Sequence, residues 1–509
     1  MSDQIPGAAF FDGKTVAVLG LGISGQASVE ALRAHTQASI SVWDARDDAV
    51  KPYRGTDRIT HAYADSQPER LITALLDTAP DIVVIAPAFR HTGVEWQALR
   101  EAKATVWSEI ELAWHLRAAH PDGTFAPWVC ITGTNGKTTT TTMLAHILDA
   151  AGMGGVAVGN VGNPAVTAVS DLSSDAPRVF AFELSSFQLT ATYSVEPLAS
   201  VCLNVADDHL EWHGTREAYR DAKANIYNRV HKACVYPVGD SVVQEMVDDA
   251  DVVEGARAIG FVIGTPSIGE VGIVSTADGD SPAMLEDQLV IDRAFGPRRA
   301  TEPEVLFTLA DIAHLAPIGM DLPLHIVKDA MAAATLARAA GAPASAIQSA
   351  LRSFTPGKHR IENLGTLEGA RWIDDSKATN AHAAAASLLA QNDASVVWIV
   401  GGLAKGAQFT ELVERVESRI AAAVVIGVDQ QPWKEAFASV DFPVTYIDPA
   451  SATPMRDAVR CAAKVAHPGN TVLLAPASAS QDQFRSYAER GDAFAEEFRS
   501  LAHDRSSEV

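Results

Sequence analysis

Short apolar runs alternate with longer stretches rich in Ala and Leu along most of the chain, and the alternation recurs in three blocks. Most of the apolar runs end in Gly, Asp or Pro, as a buried parallel strand does where it leaves the sheet. The intervening stretches carry apolar residues at spacings of three and four, which predicts helices laid over the sheet. The first block opens with TVAVLG (Thr15 to Gly20), continues with SISVWD (Ser39 to Asp44) and includes DIVVIAP (Asp81 to Pro87). HPDGTFAP, His120 to Pro127, reads as a linker. The second block starts with WVCITG (Trp128 to Gly133) and carries RVFAFE and ASVCLNV. The third begins at RWIDD (Arg371 to Asp375) and contains SVVWIVGG, AAVVIGV, PVTYID and NTVLLAPAS. Strands spaced by helices in this way predict α/β, doubly wound sheets. Between Asp240 and Arg299 the periodicity fades into an acidic, Gly-rich stretch, which predicts loops or an irregular insertion.

A chain of 509 residues exceeds one ordinary hydrophobic core, so several domains are expected. With 47% apolar and 20% charged residues it has the composition of a globular protein rather than a disordered one. Its net charge of -23 would repel nucleic acid and an anionic membrane surface. Cys130, Cys202, Cys234 and Cys461 are widely spaced and form no C-x-x-C pair, which predicts reduced core thiols. The N-terminal MSDQIPGAAFFDG lacks the basic flank and apolar run of a signal peptide, and no run reaches membrane-spanning length. The expectation is a cytoplasmic protein with no nucleic-acid partner and no membrane insertion.

The strongest chemical signal is CITGTNGKTTTTT, in which Gly133, Gly136, Lys137 and Thr138 fall between an apolar strand and a helix. Glycines there let backbone N–H groups close around phosphate oxygens, and the helix N-terminus adds positive potential. Lys137 can bridge phosphates while the Thr138 hydroxyl reaches Mg2+. Ile131 occupies the place of the first glycine of the usual G-x-x-x-x-G-K-[ST] loop. Downstream, FELSSFQL sets Glu183 at the end of a strand, where a carboxylate can hold Mg2+ beside a phosphate loop. Upstream, GLGISG (Gly20 to Gly25) follows a strand and Asp44 closes the next one. That pattern also suits a bound dinucleotide, so an NAD-dependent oxidoreductase is an alternative that these residues alone leave open. A non-catalytic UDP-sugar sensor is another.

TGTNGKTT resembles the ATP loop of the Mur ligases and folylpolyglutamate synthases, a superfamily that joins amino acids to carboxylates. The resemblance extends over almost the whole chain outside Asp240 to Arg299. It implies an N-terminal Rossmann-like domain (1–118) for the UDP substrate, a central P-loop-type ATP-binding domain (119–354) and a C-terminal Rossmann-like domain (355–509) for the amino acid. DSKATN and PASAS-x-DQF-x-x-Y-x-x-RG-x-x-F are similar to the branch that adds D-glutamate to UDP-N-acetylmuramoyl-L-alanine in peptidoglycan synthesis. In that resemblance the enzyme works as a monomer and uses ATP and two Mg2+ ions.

The resemblance also assigns residues. Gly133, Thr134, Asn135, Gly136, Lys137, Thr138 and Thr139 would bind ATP, with Arg360 and Asp375 at the nucleotide. Thr138, Glu183 and His209 would hold metal, and Lys223 would take up CO2 as a carbamate that orients or binds the second ion. Lys137, Glu183, His209 and Lys223 form its catalytic set. Gly22, Ser24, Asp44, Arg46, Asn160, Ser185 and Gln188 would contact the UDP substrate, with Gly162 in the same loop as Asn160. His359, Lys377, Thr379, Lys405, Ser480, Gln481 and Tyr487 would receive the amino acid, whose two carboxylates call for cations and hydroxyls. The chain departs from the family in two places. Ala86-Pro87-Ala88 stands where Ser-Pro-Gly is usual, and Ile326 and Asp329 stand where asparagines are common. A hinge is expected near residues 354–358, so that closure excludes water from an acyl phosphate.

Overall fold

The computed structural model describes residues 6–161, 163–171, 173, 177–277, 284–295, 303–316, 321–404 and 406–507. Gly162 and Lys405 lie outside these described residues. The chain divides into two compact units, residues 1–311 with 327–354 and residues 312–326 with 355–509. Among the described residues the strands form three sheets, two in the first unit and one in the second.

The first sheet contains β1 (Thr15–Leu19), β2 (Ser39–Asp44), β3 (Ile59–Ala64), β4 (Ile82–Ile85) and β5 (Val106–Trp107). All pairings are parallel, in the order β3-β2-β1-β4-β5. The order reverses between β1 and β4, so the loops leaving those two strands open a crevice at the carboxyl edge, where ligands collect in such sheets. GLGISG follows β1, and Ala86-Pro87-Ala88 follows β4. A side chain on Gly25 would meet the Gly20 carbonyl oxygen at 1.9 Å, so this glycine lets the helix Ile23–His35 pack close against the turn.

The second sheet runs β14-β13-β12-β11-β10-β9-β6-β8-β7. Its members are β6 (Trp128–Thr132), β7 (Gly155–Gly159), β8 (Val179–Glu183), β9 (Ala199–Cys202), β10 (Ala233–Pro237), β11 (Arg257–Val262), β12 (Glu270–Ser275), β13 (Gln288–Asp292) and β14 (Glu304–Thr308). β6 lies between β8 and β9 at the switch point, and the phosphate loop leaves its carboxyl end. The helix Glu109–His115 contributes Ile110 and Leu112 to one apolar cluster that also holds Val16 and Val84 of the first sheet and Trp128 and Phe182 of the second.

The described residues of the acidic stretch from Asp240 to Arg299 overturn the expectation of irregular structure. They form the helix Ser241–Asp248 and strands β11 to β13, which extend the second sheet, β12 and β13 pairing antiparallel. Their apolar pattern is weak because glycines and an acid stand among the buried positions: Ile259, Phe261, Val271 and Val290 are buried, and so are Gly260, Gly272 and Asp292 beside them.

The third sheet is β15 (Glu362–Leu367), β16 (Ala370–Asp374), β17 (Val396–Gly401), β18 (Ile420–Ile426), β19 (Val444–Tyr446) and β20 (Thr471–Leu474), in the order β15-β16-β20-β17-β18-β19. β15 is antiparallel and the rest are parallel. DSKATN, GGLAKG and APASAS leave the carboxyl ends of the adjacent strands β16, β17 and β20, and thus converge although they lie far apart in the chain. No helix among the described residues is long and apolar enough to cross a membrane.

Candidate active site

The phosphate loop is held by its own polar groups. Asn204 accepts from the backbone N–H of Thr134 (3.1 Å) and Asn135 (2.9 Å) and donates to the Asn135 carbonyl (3.2 Å). Gly136, in the left-handed region at φ 82°, caps the helix Lys137–Ala150. A methyl group there would come within 2.3 Å of an Asp329 carboxylate oxygen, so the loop needs glycine for both conformation and space. Lys137 folds back, its Nζ donating to the carbonyls of Gly133 (2.7 Å) and Thr134 (2.9 Å). Thr139 is buried in the first turn of the helix.

Glu183, at the end of β8, is 1% exposed. One oxygen accepts from the Thr138 hydroxyl at 2.5 Å and the other from the Asn160 amide at 2.8 Å. A phosphate-loop hydroxyl, a strand-end carboxylate and a residue of the loop after β7 thus meet. Lys223, 1% exposed, directs its Nζ to the Gly133 carbonyl at 2.8 Å and lies over the Tyr219 ring at 4.7 Å. Burial, and then the charge of Lys137, lower its pKa to about 7, so a large share of the amine is neutral near pH 7. The Tyr219 hydroxyl in turn meets the Thr134 hydroxyl at 3.1 Å. Asn204 of LNVADDHLEWHG is a residue that the sequence offers to this centre, whereas Tyr219 is one that the motifs leave out. The i, i+4 spacing of Tyr219 and Lys223 in EAYRDAK, which puts both on one helix face, is the signal that could have found Tyr219.

His209 has φ 55° and caps the helix Leu210–His213. Its ring packs against Phe187 at 4.7 Å, and burial lowers its pKa, which keeps the imidazole neutral as a metal ligand requires. Mg2+ prefers hard oxygen donors, which Thr138 and Glu183 supply side by side. The donor set therefore fits such an ion.

In the first sheet, Asp44 accepts from the Leu21 N–H at 2.7 Å and from Arg46 through both its backbone N–H (3.0 Å) and Nε (3.1 Å). Burial raises the Asp44 pKa, but these bonds outweigh it and hold the carboxylate ionised. Gly22 caps the helix after the Gly-rich turn. Ser24 and Gln188 line one cavity with Pro87, Glu109, Phe187 and Trp212. Ser185 is committed to a capping box with Gln188.

In the second unit, His359 Nδ1 bonds the buried Asp374 carboxylate at 2.7 Å, which raises the histidine's pKa. His359, Glu362 and Asp374 cluster closely enough to hold a cation, although the His359–Asp374 bond already uses the nearest donors. Asp375 is buried, bonds the Ser387 hydroxyl, and has its pKa pushed up to about 7 by burial. Arg360, part-buried, exerts the opposing electrostatic pull on it. Lys377 Nζ sits 3.9 Å from the Tyr487 ring centre, and Thr379 follows in the same turn with its N–H on the Lys377 carbonyl at 2.8 Å. Ser480 is 1% exposed, with a hydroxyl that has no hydrogen-bond partner among the described residues, while Gln481 beside it is exposed.

Residues 131–281 match the family model of the Mur ligase middle domain, and residues 359–478 match that of the Mur ligase glutamate ligase domain. The chain is 42% identical over 498 residues to the UDP-N-acetylmuramoylalanine--D-glutamate ligase of Streptomyces coelicolor, covering 96% of this chain and 99% of the relative. It is 40% identical over 492 residues to the protein of that name from Thermobifida fusca, with the same coverage. Among solved structures it is similar to a MurF ligase from Thermotoga maritima in complex with ADP. The TM-score there is 0.56 and the identity 15%, over 96% of this chain and 95% of that one. The UDP-N-acetylmuramate-alanine ligase MurC from Thermotoga maritima matches with a TM-score of 0.53 and 16% identity, over 96% and 99%. The structural likenesses speak to the fold, and the near-full-length identities to lineage: the chain belongs to the Mur ligase family.

Proposed function

We propose that this protein joins D-glutamate to UDP-N-acetylmuramoyl-L-alanine at the expense of ATP, in the cytoplasm, as a step of peptidoglycan synthesis. The observation that carries the reading is the identity of 42% over 99% of the length of a D-glutamate ligase. The gathering of Lys137, Thr138, Glu183 and Lys223 around the loop after β6 supports it. An oxidoreductase would leave that loop without a task.

The alanyl carboxylate attacks the γ-phosphorus of ATP, releasing ADP and forming an acyl phosphate. The amine of D-glutamate then adds to the activated carbonyl. The tetrahedral intermediate expels inorganic phosphate, the amine gives up a proton, and an amide remains. Lys137, freed from its carbonyl contacts, neutralises charge on the phosphates, while the loop N–H groups and the helix N-terminus orient them. Thr138, Glu183 and His209 would hold Mg2+, which shields charge on the transferring phosphoryl group. The buried neutral amine of Lys223 adds to CO2 with loss of a proton, giving a carbamate whose oxygens suit a second ion. Asp44, Arg46, Gly22 and Ser24 serve the uridine diphosphate end, and Asn160, Ser185 and Gln188 the muramoyl-alanine end. Lys377, Thr379, Ser480, Gln481, Tyr487 and His359 serve D-glutamate, with Lys405 completing the cations; Arg360 and Asp375 serve the nucleotide. The enzyme acts as a monomer with domains at 1–118, 119–354 and 355–509 and a hinge near 354–358. Compaction in solution scattering with an ATP analogue and the UDP substrate tests that hinge.

The deciding experiment is phosphate release from ATP with UDP-N-acetylmuramoyl-L-alanine, comparing D-glutamate with L-glutamate, L-lysine and meso-diaminopimelate. Release that requires D-glutamate is expected. Release with another amino acid would move the specificity within the family, and none with any acceptor would refute the reading.

A further inference from the structure

Trp212 joins two parts of the first unit that serve different ligands. Its indole Nε1–H donates to the Pro87 carbonyl at 3.0 Å, in the loop that leaves β4 at the crevice of the first sheet. Its backbone N–H donates to the His209 carbonyl at 3.0 Å, so it belongs to the short helix that His209 caps. The ring, in a residue 5% exposed, stacks on His91 (5.7 Å, 15°) and meets Phe187 (4.7 Å), which also packs on His209 (4.7 Å). The Thr92 hydroxyl adds a second tie, to the Glu211 carbonyl at 3.4 Å.

The loop at Pro87 is itself pressed against the Gly-rich turn. The Ala86 N–H donates to the Leu19 carbonyl at 2.9 Å, and a side chain on Gly20 would lie 2.7 Å from Ala86 Cβ. A diphosphate entering the crevice between β1 and β4 touches this loop, and displacement of the Pro87 carbonyl is felt at the indole N–H. The indole is rigid and His209 lies three residues away, in a left-handed conformation that only a tightly held backbone retains. A packed aromatic with one directional hydrogen bond transmits position; a greasy contact alone would tolerate sliding.

We propose that Trp212 is a positioning residue that couples occupancy of the nucleotide-sugar crevice to the orientation of His209, so that the UDP substrate tightens divalent-cation binding beside the phosphate loop. This rests on the assignment of the crevice to the UDP substrate and of His209 to metal.

The test is the affinity for Mn2+, read by electron paramagnetic resonance on the full-length protein with a non-hydrolysable ATP analogue, with and without UDP-N-acetylmuramoyl-L-alanine. In the unaltered protein the UDP substrate is expected to tighten Mn2+ binding by about 5- to 10-fold, a modest coupling for linked sites. Trp212→Phe keeps the ring and the stacking but loses the N–H, and it is expected to bring that ratio close to one. A structural role alone would lower thermal stability and leave the ratio intact. An unchanged ratio in Trp212→Phe, or a ratio of one in the unaltered protein, overturns the proposal. Phosphate release dependent on D-glutamate, measured with ATP and Mg2+ on a separate aliquot of the same protein, separates that failure from failure of the functional reading.

Discussion

The Nζ of Lys223 donates to the carbonyl oxygen of Gly133 at 2.8 Å, so a buried lysine on the helix Arg216–Ala224 is held against the phosphate loop itself. Burial lowers its pKa to about 7. The neutral form is therefore favoured in the folded protein, and the cost of burying the cation is felt in full below pH 7. It is relieved as pH rises from about 7 toward the unfolded value. Activity should rise with pH through this range and with dissolved CO2. A carbamate signal in carbon-13 spectra with labelled bicarbonate, absent in Lys223→Ala, is the expected signature. Lys223→Met should abolish turnover while raising the urea midpoint at pH 6.5.

Glu183 receives one hydrogen bond from Thr138 and one from Asn160. Glu183→Gln keeps the shape and removes the charge that would face Mg2+. A loss in kcat of about 100-fold or more is expected, the scale for removing one charge-stabilising group from an active site. ATP binding should weaken less. Steady-state kinetics across Mg2+ concentrations would show this, and near-normal kcat would remove Glu183 from the metal site.

Glu109 is buried at the start of its helix and accepts from the Val166 N–H at 2.7 Å, at the helix that follows the Asn160 loop. Burial raises its pKa to about 7. The folded state therefore holds a proton that the unfolded chain has already lost, and stability falls as pH rises from about 4.5 to 7. The swing is on the order of 3 kcal/mol. Urea unfolding at pH 5 and pH 8 should show a smaller difference in Glu109→Gln than in the unaltered protein.

Gly136→Ala should cost about 1–2 kcal/mol for the left-handed backbone, with a further cost from the Asp329 carboxylate at 2.3 Å. Pairing it with Asp329→Ala should recover the second part and not the first. Full recovery in the double variant would mean that backbone strain contributes nothing.

The Ser480 hydroxyl, without a hydrogen-bond partner among the described residues and next to Ala479, which pairs with Leu403, invites a ligand acceptor. Ser480→Ala is expected to raise the KM for D-glutamate by roughly 10-fold, about 1.4 kcal/mol, with the KM for ATP unchanged. An equal rise in both would mark a general loosening of the fold.

The strand–glycine–helix pattern places the phosphate loop and the turn after β1, and the end of an apolar run places Glu183, because each is a local event at one strand end. The central strands of the three sheets follow from the same cause, since a parallel strand buried on both faces is an uninterrupted apolar run. The stretch after Asp240 conceals its strands because glycine and acid, Gly260, Gly272 and Asp292 among them, interrupt the apolar runs even at buried positions. Which strand ends become neighbours is decided only by the order β9-β6-β8 and β16-β20-β17, and that order depends on packing between segments from about 50 to 100 residues apart. The depressed pKa of Lys223, the raised one of Glu109 and the bond from Trp212 to Pro87 likewise appear nowhere in the letters. A sequence determines which groups exist and how each segment prefers to lie; desolvation and directional contact depend on what the folded chain brings within a few ångströms.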